Sequence, residues 1–339
     1  MRYNRIGRAG LQVSAVGLGN WNTHGVTLEK AAALEILRAA RDAGINFLDT
    51  ADTYGRGEGE TILGEFLAES NRDHFVVATK LFFPMSADPN DRGLSRKHIV
   101  CSVERSLRHF RTDYIDLLQC HRFDEQTPID ETVAAMSDLV RQGKILYWGV
   151  SRYSDQQVIA CHETAARLGG QAPISNQFTY NLLERRVEQN VLPVCHSLGV
   201  GVIGYSPLAQ GVLTGKYLGG ECPAGSRAAS ALTRKDMWQH QADTEPVVRE
   251  LRAVALRHDM DLVTLAIAWC LRSPAVCAVL TGASRPAQIL HNARAAGVEL
   301  SAECVAEIEV VFAGNRNETK IVPNLHPALV SQGSSLPCN

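Results

Sequence analysis

The chain has 339 residues, 45% of them hydrophobic and 21% charged, with a formal net charge of -2. That length buries one large α/β core or two small ones, and so balanced a charge gives no electrostatic hold on nucleic acid or on an anionic membrane. Small molecules or other proteins are the expected partners. The opening run Met1-Arg2-Tyr3-Asn4-Arg5 lacks the apolar stretch of a signal peptide, and no apolar run approaches the roughly 20 residues of a membrane helix, so a cytoplasmic protein is expected. Nine cysteines without a CxxC pair read as reduced, mostly buried thiols. No HxH, HExxH or paired His/Asp cluster occurs, so no metal site is expected.

Residues 2–17 read as a β-hairpin around a polar turn that contains Gly10, with arms at 5–7 and 13–16. From there one pattern recurs: a short apolar or β-branched run, a polar loop and an amphipathic helix. The first unit joins a strand at 15–19 to a helix at 27–43, where Ala32, Ile36, Leu37 and Ala40 share a face and Gly44 is the stop. The second begins at Ile45 and runs into a helix carrying Ile62, Leu63, Phe66 and Leu67. Strand three covers 75–79, and its helix starts at the N-cap Ser95. Strand four covers 114–118, with Thr127 as N-cap and Pro128 at the first helical position of the helix that follows.

Strand five, at 145–150, precedes a helix capped by Ser154. Strand six, at 173–177, leads to a helix over 184–198 that has to accommodate Pro193. Strand seven covers 200–205, and strand eight, at 276–280, precedes a helix over 286–295. Eight such units without a break in composition predict a closed (β/α)8 TIM barrel over 1–313, with an N-terminal hairpin. An open, doubly wound sheet is the competitor, and the lack of a Gly-x-Gly-x-x-Gly turn after any strand argues against it. The glycine-rich run 55–60 does follow a strand, but Glu58 and Glu60 would repel phosphates there. A long loop over 207–240 leaves strand seven and reads as a lid or cofactor cover. The tail, 314–339, reads as extended or disordered.

In a (β/α)8 barrel the C-terminal strand ends carry the chemistry. Here three successive strands finish on Asp49 with Tyr54, on Lys80, and on His121. A lysine beside the phenol is expected to lower the Tyr54 pKa from its ordinary value near 10, with Asp49 holding the ammonium charged and aimed. Tyr54 then passes a proton to a carbonyl oxygen as hydride reaches the carbon, and His121 donates a hydrogen bond to the same oxygen. Taken singly, Asp49 reads as a turn former, Lys80 as a solvated charge and His121 as a loop histidine; it is their joint placement that carries the chemistry. Cys120 adjoins His121 but reads as filler, because neighbouring strand residues point to opposite faces. Trp21, Phe82, Phe83, Pro84, Met85 and Phe123 read as an apolar lining of the mouth.

At these residues the chain resembles the aldo-keto reductase superfamily, through Gly44-Ile45-Asn46-Phe47-Leu48-Asp49-Thr50-Ala51-Asp52-Thr53-Tyr54-Gly55. Within it, the chain is most similar to the branch of voltage-gated potassium channel β-subunits and their bacterial relatives. The runs that carry this are Leu94-Ser95-Arg96-Lys97-His98-Ile99, Tyr147-Trp148-Gly149-Val150-Ser151-Arg152, Ser206-Pro207-Leu208-Ala209 and Ala266-Ile267-Ala268-Trp269-Cys270-Leu271-Arg272. The resemblance puts the family's tetrad on Asp49, Tyr54, Lys80 and His121 and implies an NADPH (NADP+) cofactor. Its nicotinamide amide would meet Ser151, Arg152 and Gln177, with Asn176 beside them, and its ring would stack on Tyr205, an aromatic where many relatives have tryptophan. Gly19, Asn20 and Trp21 would border the same end of the cofactor, together with Asp49. The pyrophosphate would run under Ser206, Pro207, Leu208, Gly211, Thr214 and Lys216, with Arg227. The adenosine end would follow Gly282, Ala283, Ser284 and Arg285 to Gln288 and Asn292. A small-residue turn at a helix start, with the fork of Arg285, suits a phosphate and favours NADPH over NADH.

Channel β-subunits typically have asparagine where this chain has His121, which points toward a working reductase of aldehydes or ketones. The glutamate often found near the adenosine in that branch appears here as His291. The resemblance leaves open reduction of a sugar-nucleotide keto or enoyl intermediate, and an NADPH-binding regulatory subunit with little turnover. It also implies a homo-oligomer, a tetramer or octamer.

Overall fold

Runs such as Val76–Leu81 and Ile115–Cys120 are buried at every residue, which is what a strand lined by a barrel interior on one face and helices on the other requires. In the computed structural model, which describes residues 1–21, 23–229 and 234–314, eight such strands form a closed parallel barrel. They are β3 (Val16–Gly19), β4 (Phe47–Asp49), β5 (Val76–Leu81), β6 (Ile115–Cys120), β7 (Ile145–Ser151), β8 (Ser175–Thr179), β9 (Gly201–Tyr205) and β10 (Val276–Thr281). β10 pairs with β3 through Val279↔Val16, Leu280↔Gly17 and Thr281↔Leu18, which closes the ring. The expected (β/α)8 TIM barrel with its N-terminal hairpin is the fold.

The hairpin, β1 (Tyr3–Arg5) against β2 (Gln12–Ser14), plugs the end of the barrel opposite the strand C-termini. Ile6 and Val13 are fully buried and join Phe47, Leu117, Ile203, Ala278 and Leu280 in the interior cluster. Asn4 Nδ2 donates to the Cys277 carbonyl oxygen at 2.8 Å, and Arg8 N to that of Gly199 at the same distance. Gly7 is at φ +56°, and a Cβ there would stand 2.0 Å from the Gly199 carbonyl oxygen, so only glycine lets the plug seat. With this end closed, the strand C-termini are left as the mouth.

A larger core lies between the barrel and its helices, with Trp148, Phe66, Ile36 and Trp269 among its buried members. The helices following successive strands are α1 (Lys30–Asp42), α2 (Glu58–Ala68), α3 (Arg96–Phe110), α4 (Ile129–Arg141), α5 (Asp155–Leu168) and α6 (Val191–Leu198). The second half adds α7 (Arg234–Arg257), α8 (Leu262–Leu271), α9 (Pro286–Arg294) and α10 (Ala302–Gly314). Ser95 caps α3 by accepting from His98 N, and Ser154 forms a full capping box with Gln157.

Several boundaries differ from expectation, among them the hairpin arms, which are Tyr3–Arg5 and Gln12–Ser14 and not 5–7 and 13–16. The N-cap of α4 is Pro128, not Thr127, whose hydroxyl instead donates to Asp124 at 2.8 Å. The helix expected over 184–198 begins only at Val191, after the 3-10 turn Arg186–Glu188. That start puts Pro193 in the first turn, where a missing N–H leaves no bond unmade. The loop after β9 carries the turns Ala209–Thr214, Leu218–Gly220 and Arg227–Ala229, and α7 starts inside the segment expected to be loop. Of the expected tail, Gly314 ends α10, and residues 315–339 lie outside the described residues. Among the described residues no helix is long and apolar enough to cross a membrane.

Candidate active site

Each residue of the expected tetrad is placed by a strand end. Asp49 is the last residue of β4, Lys80 the next to last of β5, and His121 directly follows β6. Tyr54 opens a 3-10 turn in which Gly55, Arg56 and Gly57 all have positive φ, which turns the chain sharply into α2. Gly57 is at φ +94°, and a Cβ there would meet His109 Cε1 at 2.4 Å, so the turn that aims Tyr54 depends on glycine.

The four side chains converge. Lys80 Nζ donates to Asp49 Oδ1 at 2.5 Å and to the Thr50 carbonyl oxygen at 2.7 Å, and lies 5.2 Å from the centre of the Tyr54 ring. The Tyr54 and His121 rings meet edge to face with centroids 6.0 Å apart. Gln177 Nε2 and Gln119 Nε2 donate to the other oxygen of Asp49, Oδ2, at 2.8 and 3.1 Å. Sequence reasoning missed Gln119 as a site residue. Its signal was there: it stands two residues before His121 at the C-terminal end of the strand, and so shares the face of His121.

The electrostatics overturn one expectation. Burial, and after it the Asp49 charge, hold the Tyr54 phenol well above its ordinary pKa; the cation that opposes them is Arg122, not Lys80. Lys80 is itself pulled down by burial, against the charge and hydrogen bond of Asp49. A phenol that keeps its proton at neutral pH is an acid held ready, and the buried lysine and carboxylate set its position more than its ionisation.

Behind Tyr54 lies a second polar cluster. Burial and the nearby Glu60 push the Asp52 carboxyl up to about 8, and Ser102 Oγ donates to it at 3.0 Å. Glu60 accepts from Thr79 at 2.6 Å and from Ser106 at 2.8 Å, and meets His109 Nδ1 at 2.9 Å. The second glutamate of the glycine-rich run is therefore turned into the interface of α2 and α3. Gly59 allows α2 to pack closely on the loops after β3 and β4, since a Cβ would lie 3.0 Å from Asn20 Nδ2 and 3.2 Å from Thr50 Oγ1.

Of the expected mouth lining, Phe83 packs edge to face on His121 at 4.8 Å and against Phe82 at 5.4 Å. Phe123 turns instead to Tyr153, at 5.2 Å. Cys120 is fully buried and its thiol is pushed up by that burial, so it has the character of core.

The expected cofactor residues lie on the other side of the mouth. Ser151 ends β7 and its hydroxyl donates to the Gln177 carbonyl oxygen at 3.1 Å; Arg152 follows at φ +59°. Asn176 points to Tyr153, donating to its carbonyl oxygen at 3.0 Å. Tyr205 ends β9, half-buried, and the chain then passes through Ser206, Ala209 and Gln210, all at positive φ. With Arg152, four of the seven non-glycine residues of positive φ among the described ones fall in these two loops. Strain of about 1–3 kcal/mol each persists where a site requires the backbone shape.

The turn from Leu208 is closed by Gly211 N to the Leu208 carbonyl oxygen at 2.8 Å, and Thr214 Oγ1 donates to that of Gly211 at 2.8 Å. Pro207 lies between Ser206 and this turn, and Lys216 folds back beneath Gly211. Arg227 lies over the Trp21 ring at 5.4 Å and reaches to Gly282, which itself neighbours the Gly19 carbonyl oxygen. Ser284 is tied to Gln288 Oε1 through its N–H at 2.7 Å and its hydroxyl at 3.1 Å, and Arg285 is exposed at the start of α9 with Pro286 at the first helical position. Asn292 is buried, and the adjoining His291 turns away to Asp261 at 3.0 Å. A phosphate-bearing dinucleotide fits this groove: Asn20 Oδ1 is buried without a partner, and neither Lys216 nor Arg285 has an ion-pair partner among the described residues.

Among the described residues, no cluster of three or more metal-ligating side chains accompanies the site. The chain matches the Aldo/keto reductase family over residues 15–312. It is 41% identical over 329 residues to a protein of Oryza sativa subsp. japonica named as a probable voltage-gated potassium channel subunit beta, covering 94% of this chain and 99% of the relative. A protein of the same name from Arabidopsis thaliana is 41% identical over 304 residues, covering 88% and 92%. Barrel, strand-end constellation and match agree: the chain belongs to the aldo/keto reductase family.

Proposed function

We propose that the chain reduces an aldehyde or ketone to the alcohol with NADPH, Tyr54 acting as the general acid. When bound, the cofactor would supply a hydride to the carbonyl carbon and be oxidised to NADP+. Tyr54 gives its proton to the carbonyl oxygen, so the π bond of C=O is replaced by a C–H and an O–H bond while the C–O single bond remains. His121 donates to the same oxygen and stabilises the negative charge that develops there. Asp49, gripped by Lys80, Gln119 and Gln177, fixes the floor of the site so that the phenol needs little reorganisation. Ser151, Arg152 and Gln177 would hold the nicotinamide end, Lys216 and Arg227 the pyrophosphate, and Arg285 the phosphate that distinguishes NADPH from NADH.

The observation that carries this reading is the meeting of a proton-bearing phenol, an imidazole and a buried lysine–carboxylate pair at one mouth. It is tested by following NADPH oxidation against a panel of aldehydes and ketones, with Tyr54→Phe as control; no rate above that of the variant on any carbonyl refutes it. The barrel over 1–313 is taken as the working unit, with 314–339 as an accessory tail.

A second reading draws on the names of the two relatives: a subunit that holds NADPH and docks on a channel protein, with little turnover. His121 favours the enzyme, as an oxyanion donor placed for catalysis. Single-turnover hydride transfer with retained NADP+, together with capture of an integral membrane channel, would favour the subunit.

A further inference from the structure

The residue after His121 is an arginine that the mechanism does not use. Arg122 is half-buried at the mouth, its guanidinium 5.3 Å from the centre of the Phe83 ring, and Phe83 in turn packs on His121. One of its N–H groups donates to the His121 carbonyl oxygen at 2.6 Å, which leaves most of the fork unused. No described carboxylate forms an ion pair with it; the cations near it are Arg152 and the Asp49-bound Lys80, and the Tyr54 and Tyr205 phenols lie beside it. Arg152 likewise has no ion-pair partner among the described residues.

Two partly buried guanidinium groups facing one space without a counter-ion disfavour each other, and burial with Arg152 pulls the Arg122 pKa down. The nicotinamide end of the cofactor proposed for this region carries no anionic group, so it does not relieve them. An anion brought by the substrate does.

Resting on the carbonyl-reductase reading, we propose that Arg122 is a specificity-determining residue. It binds an oxyanion group, carboxylate or phosphate, carried by the carbonyl substrate. The ring of Phe83 holds the guanidinium plane, and the free edge of the fork donates to two oxygens side by side. The acid, the oxyanion donor and the anion anchor then come from Tyr54, His121 and Arg122.

The test compares aldehydes with and without an anionic group, butanal against 4-oxobutanoate and glyceraldehyde against its 3-phosphate, in the wild-type protein, Arg122→Met and Arg122→Lys. The expected result is a wild-type preference in kcat/KM for an anionic member. In Arg122→Met that preference falls by about tenfold or more, with partial recovery in Arg122→Lys, which restores charge but not the fork. The pair that responds tells carboxylate from phosphate. If Arg122 only braced the His121 backbone, both members of a pair would slow alike and the preference would stay; that result overturns the proposal, as does a wild type without preference.

A calorimetric titration of butanoate and glycerol 3-phosphate into protein with NADP+ separates this inference from the reading beneath it. Binding that is lost in Arg122→Met, in a protein that turns over neither these aldehydes nor any carbonyl of the panel above the Tyr54→Phe rate, refutes the reductase reading and leaves the anion site standing. Absence of Arg122-dependent binding in such a protein refutes the anion site as well.

Discussion

Lys80 Nζ lies 5.2 Å from the centre of the Tyr54 ring, while its two shortest hydrogen bonds run to Asp49 and to the Thr50 carbonyl oxygen. The lysine is thus tied to the barrel floor, and the phenol above it is kept protonated by burial. The alkaline limb of the reduction rate is therefore expected above pH 10, the ordinary range of a tyrosine, and not near neutrality. A pH profile of kcat/KM checks this, and Tyr54→Phe is expected to remove at least about 99% of the rate while leaving the circular dichroism unchanged.

Asp49→Asn strands the ammonium of Lys80 in a site where both partners are almost wholly buried. Unfolding in urea is expected to show a loss of about 3–5 kcal/mol for this change alone. The double variant Asp49→Asn/Lys80→Met should lose much less than the sum of the two single changes, since neither charge is then left unpaired.

Asp52 ties stability to pH in a direction opposite to most carboxylates. Its pKa is raised in the fold, from 3.8 to about 8, so the folded state keeps a proton that the unfolded chain has already released. Its contribution is complete below pH 4 and is lost as pH rises through about 8. The unfolding free energy of wild type relative to Asp52→Asn should decline by up to about 1.4 kcal/mol per pH unit across that window. Paired denaturation curves at pH 5, 6, 7 and 8 measure it.

Gly64 sits where α2 crosses α3, and a Cβ there would lie 2.2 Å from the His109 carbonyl oxygen, which is backbone and cannot swing aside. Gly64→Ala is expected to cost about 1–3 kcal/mol by thermal unfolding. It should also reduce activity, because the same interface carries the Glu60 cluster behind Tyr54.

Arg285 is exposed at the start of α9, without an ion-pair partner among the described residues. Fluorescence titration of Arg285→Ala is expected to weaken NADPH binding by about tenfold and NADH binding by much less, since only NADPH carries the extra phosphate. Equal weakening of both would place the residue outside the phosphate site.

Most of the barrel could be read directly because its strands leave an unambiguous trace. Runs such as 76–81 are buried at every residue and open on the apolar stretch Val76-Val77-Ala78, and Ser95 and Ser154 announce their helices by capping chemistry that needs no distant partner. The helix before Pro193 failed because the run from Glu184 is polar and apolar in helical proportion, while its side chains serve other bonds: Glu184 pairs with Arg186, and Glu188 with Arg185 and Arg272. Asp49, Tyr54, Lys80 and His121 were visible as strand ends. The ionisation of Tyr54 was not, since its sign depends on how much water the closed mouth excludes, a property of the assembled barrel. Arg122 was hidden for a related reason: an arginine without an ion-pair partner among the described residues is defined by which carboxylates fail to reach it.

The amides that grip Asp49 come from far along the chain, Gln119 being 70 residues later and Gln177 128 residues later. During synthesis, therefore, the tetrad is complete once His121 has emerged, yet its carboxylate lacks one of its two amide donors until β8 is made. The ribosome releases the chemical groups early and their anchorage late. A nascent chain paused before β8 would hold a buried charge pair that is only partly satisfied, and so would have reason to stay open until the barrel can close around it.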